Sequence, residues 1–284
     1  MQRTPAGRAS VQGVGVHTGR PARLTLAPAP IDSGVVFVRE DLPGRPEIKV
    51  GPESARIEES RRMTVLQAPG RDGGEPARVG MVEHLLAALA GLGVDNAIVT
   101  LDGFECPIFD GSATPYVELI RRAGIVEQEA TAPCLTLLRP LVISGERGEI
   151  VALPAERTRL TFFAEFAEHG LADEWATFDA SADDFALEVA PARTFIFWPE
   201  VEALRKAGMI RGGSLDCAVV LRDGKPVQGG FRLQNELARH KLLDLMGDLA
   251  VLGRPLAALI SARASGHALN QEFVRRVAKE SIHA

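Results

Sequence analysis

Two stretches of this chain echo one another. EHLLAALAGLGVDNAIVTL (83–101) and RHKLLDLMGDLAVLGRPLAALI (239–260) each run from a histidine near a helix start, through an apolar helix and a glycine, into a strand. Each also follows a series of strands. A chain that repeats this order is expected to form two α+β domains of similar topology, each a sheet packed on helices, rather than one doubly wound sheet. Its 284 residues suffice for two domains. The periodic pattern breaks at EQEATAP, which puts the boundary near residue 128 and the domains at 1–127 and 128–284.

The first half reads as strands in VQGVGVHTG, ARLTLAPAP, VVFVRE, MTVLQ and NAIVTLDG, with period-two alternation in ARLTLAPAP. The helix in MVEHLLAALAGLG is apolar on nearly every side and closed by glycines, and PYVELIRRAGI is an amphipathic second helix. The second half restarts with strands in CLTLLRPLVISG, EIVALP and RLTFFAEF. An acid-rich segment, ASADDFALEVAPA, leads to RTFIFW and the helix PEVEALRKAG. GGSLDCAVVL, a long helix over NELARHKLLDLMGDLAVLG, a strand at LAALISARA and a last helix after ALNQEF complete it.

Several function classes are disfavoured. A formal net charge of -5 without a basic stripe argues against a nucleic-acid binder. Neither a G-x-G-x-x-G fingerprint after a strand nor a Walker A run is present, which argues against dinucleotide and ATP enzymes. Cys106, Cys134 and Cys217 are widely separated, as expected of a reducing compartment. No stretch suits a signal peptide and no run is long enough to span a bilayer, so a soluble cytoplasmic protein is expected.

Chemistry is sought among six histidines. Glu83 and His84 are adjacent polar residues in an oily helix: either an ion pair or exposed helix start, or a base beside a metal ligand. His240 and Asp244, four apart, share a helix face and could hold a metal together; with Asp248 they could equally form a solvated face. His267, after Ser265 and Gly266 at a strand end, is either a mobile acid or loop surface. His17 in GVHTG carries the same two readings, and His169 and His283 read as surface. Taken together, His84, His240 and Asp244 supply the three ligands of a catalytic zinc, with one position left for water. Glu83 would take that water's proton, His267 would stabilise the oxyanion or protonate the leaving amine, and Asp248 would hold the His267 imidazolium.

GVGVHTG, VEHLLAALAGLGVDN, PIFDGSATPYVELI, ARTFIF, GGSLDCAVVL, RHKLLDLMGDLAVLG and SGHALN occur in this order. Together they closely resemble the UDP-3-O-acyl-N-acetylglucosamine deacetylase family, zinc enzymes of bacterial lipid A biosynthesis, over about residues 10 to 275. The resemblance implies two α+β domains with the active site between them. It implies zinc ligands at His84, His240 and Asp244 (iron(II) could use the same ligands), the general base at Glu83, the catalytic histidine at His267 and its partner at Asp248. It further implies that Lys241 contacts substrate phosphates. The segment ARTFIFWPEVEALRKAGMIRGGS, with Thr194 and Phe195 near its mouth, would build a hydrophobic passage for the substrate's acyl chain. Phe195, Met209 and Ile210 are its candidate lining. The expected activity is hydrolysis of the N-acetyl group of an acylated UDP-sugar, a small-molecule partner that can associate with a membrane through its acyl chain.

The sequence departs from the family at Met81 and Val82 before Glu83, at Cys217, in FRLQNELARHK and in AEHGLADEW. These departures leave open a paralogue with altered acyl or sugar preference. The remaining alternative is a binding protein on the same fold without turnover.

Overall fold

The computed structural model describes residues 1–59, 62–68 and 75–283. In the first half a five-stranded sheet runs in the order Ala9–Val14, Pro21–Ala27, Ala97–Leu101, Val35–Arg39, Glu47–Lys49. Its one parallel pair joins Val35–Arg39 to Ala97–Leu101. In the second half Leu141–Ser144, Glu149–Pro154, Leu256–Arg263, Arg159–Ala164 and Glu174–Asp179 follow the same sequence of pairings. There too the one parallel contact among these five is between the third and fourth strands, Leu256–Arg263 and Arg159–Ala164. Both sheets therefore have one topology, as the internal echo predicts. The strand Leu135–Leu137 extends the second sheet beside Leu256–Arg263, and Ser281–His283 pairs with it in turn.

Six α-helices are described: α1 (Glu83–Gly91), α2 (Thr114–Ala123), α3 (Phe185–Glu188), α4 (Trp198–Lys206), α5 (Glu236–Leu249) and α6 (His267–Glu280). Alternation in the strands turns Leu24, Leu26, Phe37, Val99, Ile150, Phe162 and Ile260 inward, where they are buried. Helix α2 packs on Ala9–Val14 and Pro21–Ala27, while α6 meets Leu141–Ser144 and Glu149–Pro154. Helix α5 lies on Arg159–Ala164 and Glu174–Asp179, and α1 packs on both α2 and α5. The α1–α5 contact thus joins the two halves. A helix covered on all sides needs apolar residues all round; α1 is buried from Glu83 to Leu89 and α5 over nearly its whole length. That rules out the reading of His240, Asp244 and Asp248 as a solvated helix face.

The two helices can touch because α5 has a glycine at the crossing. A Cβ built on Gly247 would stand 2.0 Å from the Glu83 carbonyl oxygen and 2.7 Å from its carbon. The halves are also stitched by the PIFDGSATPY loop: Thr194 N–H donates to Gly111 O at 2.7 Å, and Ala113 N–H donates to Ala190 O at 2.9 Å. Gly111 has a φ of +82°, and an added Cβ would lie 2.3 Å from the Cys217 carbonyl oxygen. Gly111→Ala combines a disfavoured backbone conformation with a backbone clash. It is expected to lower unfolding free energy by about 1–3 kcal/mol in urea titration; an unchanged midpoint would show that this seam yields freely.

The strand Glu174–Asp179, which precedes the acid-rich segment and is not among the strands expected from the sequence, completes the second sheet. Among the described residues no helix is long and apolar enough to cross a membrane.

Candidate active site

Glu83 and His84 form the first residues of α1, and His240, Asp244 and Asp248 follow at four-residue spacing along α5. Close approach at Gly247 sets the two rows side by side. The Asp244 Oδ1 atom lies 3.3 Å from His240 Nε2 and 3.7 Å from His84 Nε2, and the two imidazoles meet edge-on at 5.1 Å. One ligand atom from each of the three buried residues falls within 4.8 Å of the others. The His240 Nδ1 atom is 3.1 Å from the Ala192 carbonyl, so as a donor there it leaves Nε2 with a lone pair facing the cluster. Burial outweighs the pull of Asp244 and lowers the His240 pKa to about 4, which keeps the ring neutral. Burial would raise the Asp244 carboxyl, but His240 and Lys241 hold it well below the ordinary carboxylate range. The Lys241 ammonium donates to Asp244 Oδ2 at 2.7 Å. Two neutral-capable imidazoles and one ionised carboxylate are a donor set suited to a divalent transition metal.

Beside this cluster stand two further groups. Glu83 is buried, and loss of solvation raises its pKa against the opposing effects of His267 and His84. Its Oε2 accepts the Thr64 backbone N–H at 3.0 Å, and its Oε1 faces His267 Nε2 at 3.9 Å. On the other side of the imidazole, His267 Nδ1 donates to Asp248 Oδ2 at 2.8 Å. Burial would lower the His267 pKa, yet Asp248, Glu83 and Asp244 carry it up to about 9. Asp248 is wholly buried and also accepts from Thr64 Oγ1, Asn270 Nδ2 (2.7 Å) and Gln271 Nε2 (3.0 Å).

His267 is the first residue of α6, buried and bonded to Asp248 as expected of the pair, which rules out its reading as loop surface. Gly266 occupies the extended capping position that lets the helix begin there. His169 is also not plain surface, since its ring stacks on Phe197 at 3.5 Å and 10°. The side chain of His283 lies outside the described residues.

A cavity of about 670 Å³ opens over the cluster. Lys241, Thr194 and Phe195 line it, with His17, Leu204, Ile210 and Val220, whereas Met209 is not part of the wall. The Phe195 ring meets His240 edge-on at 6.2 Å. Above the site an ion pair of 2.8 Å links Arg62 to Glu200 on α4. Sequence reasoning did not single out Thr64, Asn270, Gln271 or Glu105, which accepts the backbone N–H groups of His17 and Thr18. Asn270 lies within SGHALN and could have been found there; Thr64 carries no pattern of its own.

A buried His–His–Asp cluster flanked by a carboxylate and a His–Asp pair, at the head of a part-apolar cavity, has the make-up of a metal-assisted hydrolase site. The family model of the UDP-3-O-acyl N-acetylglycosamine deacetylases matches residues 2–279. A UDP-3-O-acyl-N-acetylglucosamine deacetylase of Thermosynechococcus vestitus is 42% identical over 281 residues, covering 99% of this chain and 95% of its own. Proteins of the same description from Anaeromyxobacter sp. and Myxococcus xanthus are 44% and 42% identical, over 97% of this chain and 88% and 86% of theirs. The chain belongs to the UDP-3-O-acyl-N-acetylglucosamine deacetylase family.

Proposed function

We propose that this protein hydrolyses the N-acetyl group of UDP-3-O-acyl-N-acetylglucosamine, releasing acetate and the free amine, as a step of lipid A biosynthesis. The observation that carries this reading is the meeting of His84, His240 and Asp244 with Glu83 and the His267–Asp248 pair at the floor of one cavity. In it His84, His240 and Asp244 hold zinc, or iron(II) with the same donors. A bound zinc lowers the pKa of water to about 7 and polarises a carbonyl.

The chain's own residues then divide the proton work. Glu83, buried and raised in pKa, accepts a proton from the attacking water at its carboxylate. His267, protonated at neutral pH and steadied by Asp248, offers positive charge to the oxyanion. The departing amine takes its proton from Glu83 or His267. Lys241, on the cavity wall and partly exposed, is the cation for the substrate's phosphates. Thr194 and Phe195 stand where the acylated sugar enters, and the apolar wall built by Leu204, Ile210 and Val220 takes the acyl chain. A cytoplasmic location and a division into domains 1–127 and 128–284 complete the proposal; the duplicated sheet order supports the latter.

The test is deacetylation of UDP-3-O-acyl-N-acetylglucosamine by metal-stripped protein before and after zinc is added. The stripped protein is expected to be inactive and zinc to restore turnover. Folded, zinc-loaded protein with no turnover would sink the reading and point to a different N-acyl sugar.

A further inference from the structure

Thr64 touches both proton-handling arms of the site without lining the cavity. It precedes the strand Val65–Gln67 and is wholly buried. Its backbone N–H donates to Glu83 Oε2 at 3.0 Å, while its hydroxyl donates to Asp248 Oδ1 and lies 3.4 Å from His267 Nδ1. A hydroxyl carries a single proton, and His267 Nδ1 is committed as a donor to Asp248 Oδ2. The two donors therefore share Asp248 between them, one on each oxygen.

The origin of these bonds matters. His267, Asn270 and Gln271, the other donors to Asp248, all belong to α6. Thr64 is the donor that comes from the first half of the chain, the half that also carries Glu83. Its main chain fixes the Glu83 carboxylate, and its side chain fixes the carboxylate that aims His267. As a β-branched residue it holds its hydroxyl in few rotamers.

We propose that Thr64 is a positioning residue that sets the 3.9 Å register between the Glu83 carboxylate and the His267 imidazole. The inference rests on the reading of Glu83 and His267 given above. Without the hydroxyl, Asp248 Oδ1 keeps Gln271 among the described residues, and the hydrogen bond that ties Asp248 to the first half is lost. Glu83 stays on the backbone amide, so the two arms lose their common reference. Substrate binding is untouched, because Thr64 meets no cavity surface.

The test compares Thr64→Val, which keeps the shape and the amide but not the hydroxyl, with Thr64→Ser, which keeps the hydroxyl. Since a misplacement of about 1 Å can cost about 100-fold in rate, Thr64→Val is expected to lose about 10- to 100-fold in kcat with KM unchanged. Thr64→Ser is expected to recover most of that loss. Metal content and thermal melting are measured on each variant; should Thr64→Val fail to fold, Thr64→Ala replaces it in the same comparison. Wild-type kcat in the hydroxyl-free variant, equal losses in the serine and hydroxyl-free variants, or a loss carried by KM would each overturn the inference. Glu83→Gln and His267→Ala are run alongside. If those two keep full turnover, the site reading itself fails; if they collapse while the hydroxyl-free variant does not, only the role of Thr64 falls.

Discussion

Replacing Glu83 by Gln is expected to lower kcat by about 10²- to 10⁴-fold, the usual contribution of a positioned general base, with the metal still bound. Glutamine matches the shape of glutamate and keeps an oxygen for the Thr64 N–H that Glu83 Oε2 now accepts. It cannot take a proton. The same change should leave stability unchanged or raise it. Burial raises the Glu83 pKa, so the folded state favours the protonated form and gives up stability as pH rises through that value. Glutamine mimics the protonated form and escapes this penalty at neutral pH. A rate collapse beside an undiminished melting temperature and full metal content is thus the signature of a chemical role. A variant that retained its rate would move the proton acceptor elsewhere.

Gly247→Ala should damage rate and stability together. The added methyl carbon would meet three backbone atoms of Glu83, at 2.0, 2.7 and 2.8 Å. Carbon atoms pack at about 3.5–4.0 Å, so α1 and α5 must part by more than an ångström. Alanine favours a helix over glycine by about 1 kcal/mol, whereas forcing extra volume into a packed contact costs about 1–3 kcal/mol and sometimes more. The clash should win, since backbone cannot rotate aside as a flexible side chain can. Parting the helices draws Glu83 and His84 away from Asp244 and Asp248, and a shift of about 1 Å can cost about 100-fold in rate. Weaker metal affinity, a lower melting temperature and a lower kcat are expected together in the purified variant. A variant matching the parent in all three would mean that the crossing is slack.

The sequence made some of this legible and hid the rest for physical reasons. Glu83 and His84 stood out because charge inside an oily helix demands an explanation, and the spacing of His240, Asp244 and Asp248 aligned them on α5. The repeated strand–helix–strand order foretold the shared sheet topology. The strand Glu174–Asp179 escaped notice because Trp175 is apolar yet exposed beside the buried Ala176, which blurs the apolar–polar alternation of so short a segment. The partnership of His267 with Asp248 was legible, but its place at the start of α6 was not, because the cap is a glycine, which signals a loop as readily as a helix start. Thr64 was invisible: one threonine beside a short strand acquires meaning only when distant segments close around it.

That closure bears on how the protein is made. Thr64 and Asp248 are separated by 184 positions, and Thr64 and His267 by 203. Contacts at such separation form late, since the intervening chain must be gathered first. The first half supplies Glu83 and His84 to the site, on α1, while His240, Asp244, Asp248 and His267 come from α5 and α6. The complete set of site residues is therefore in place only once α6 has seated against α5.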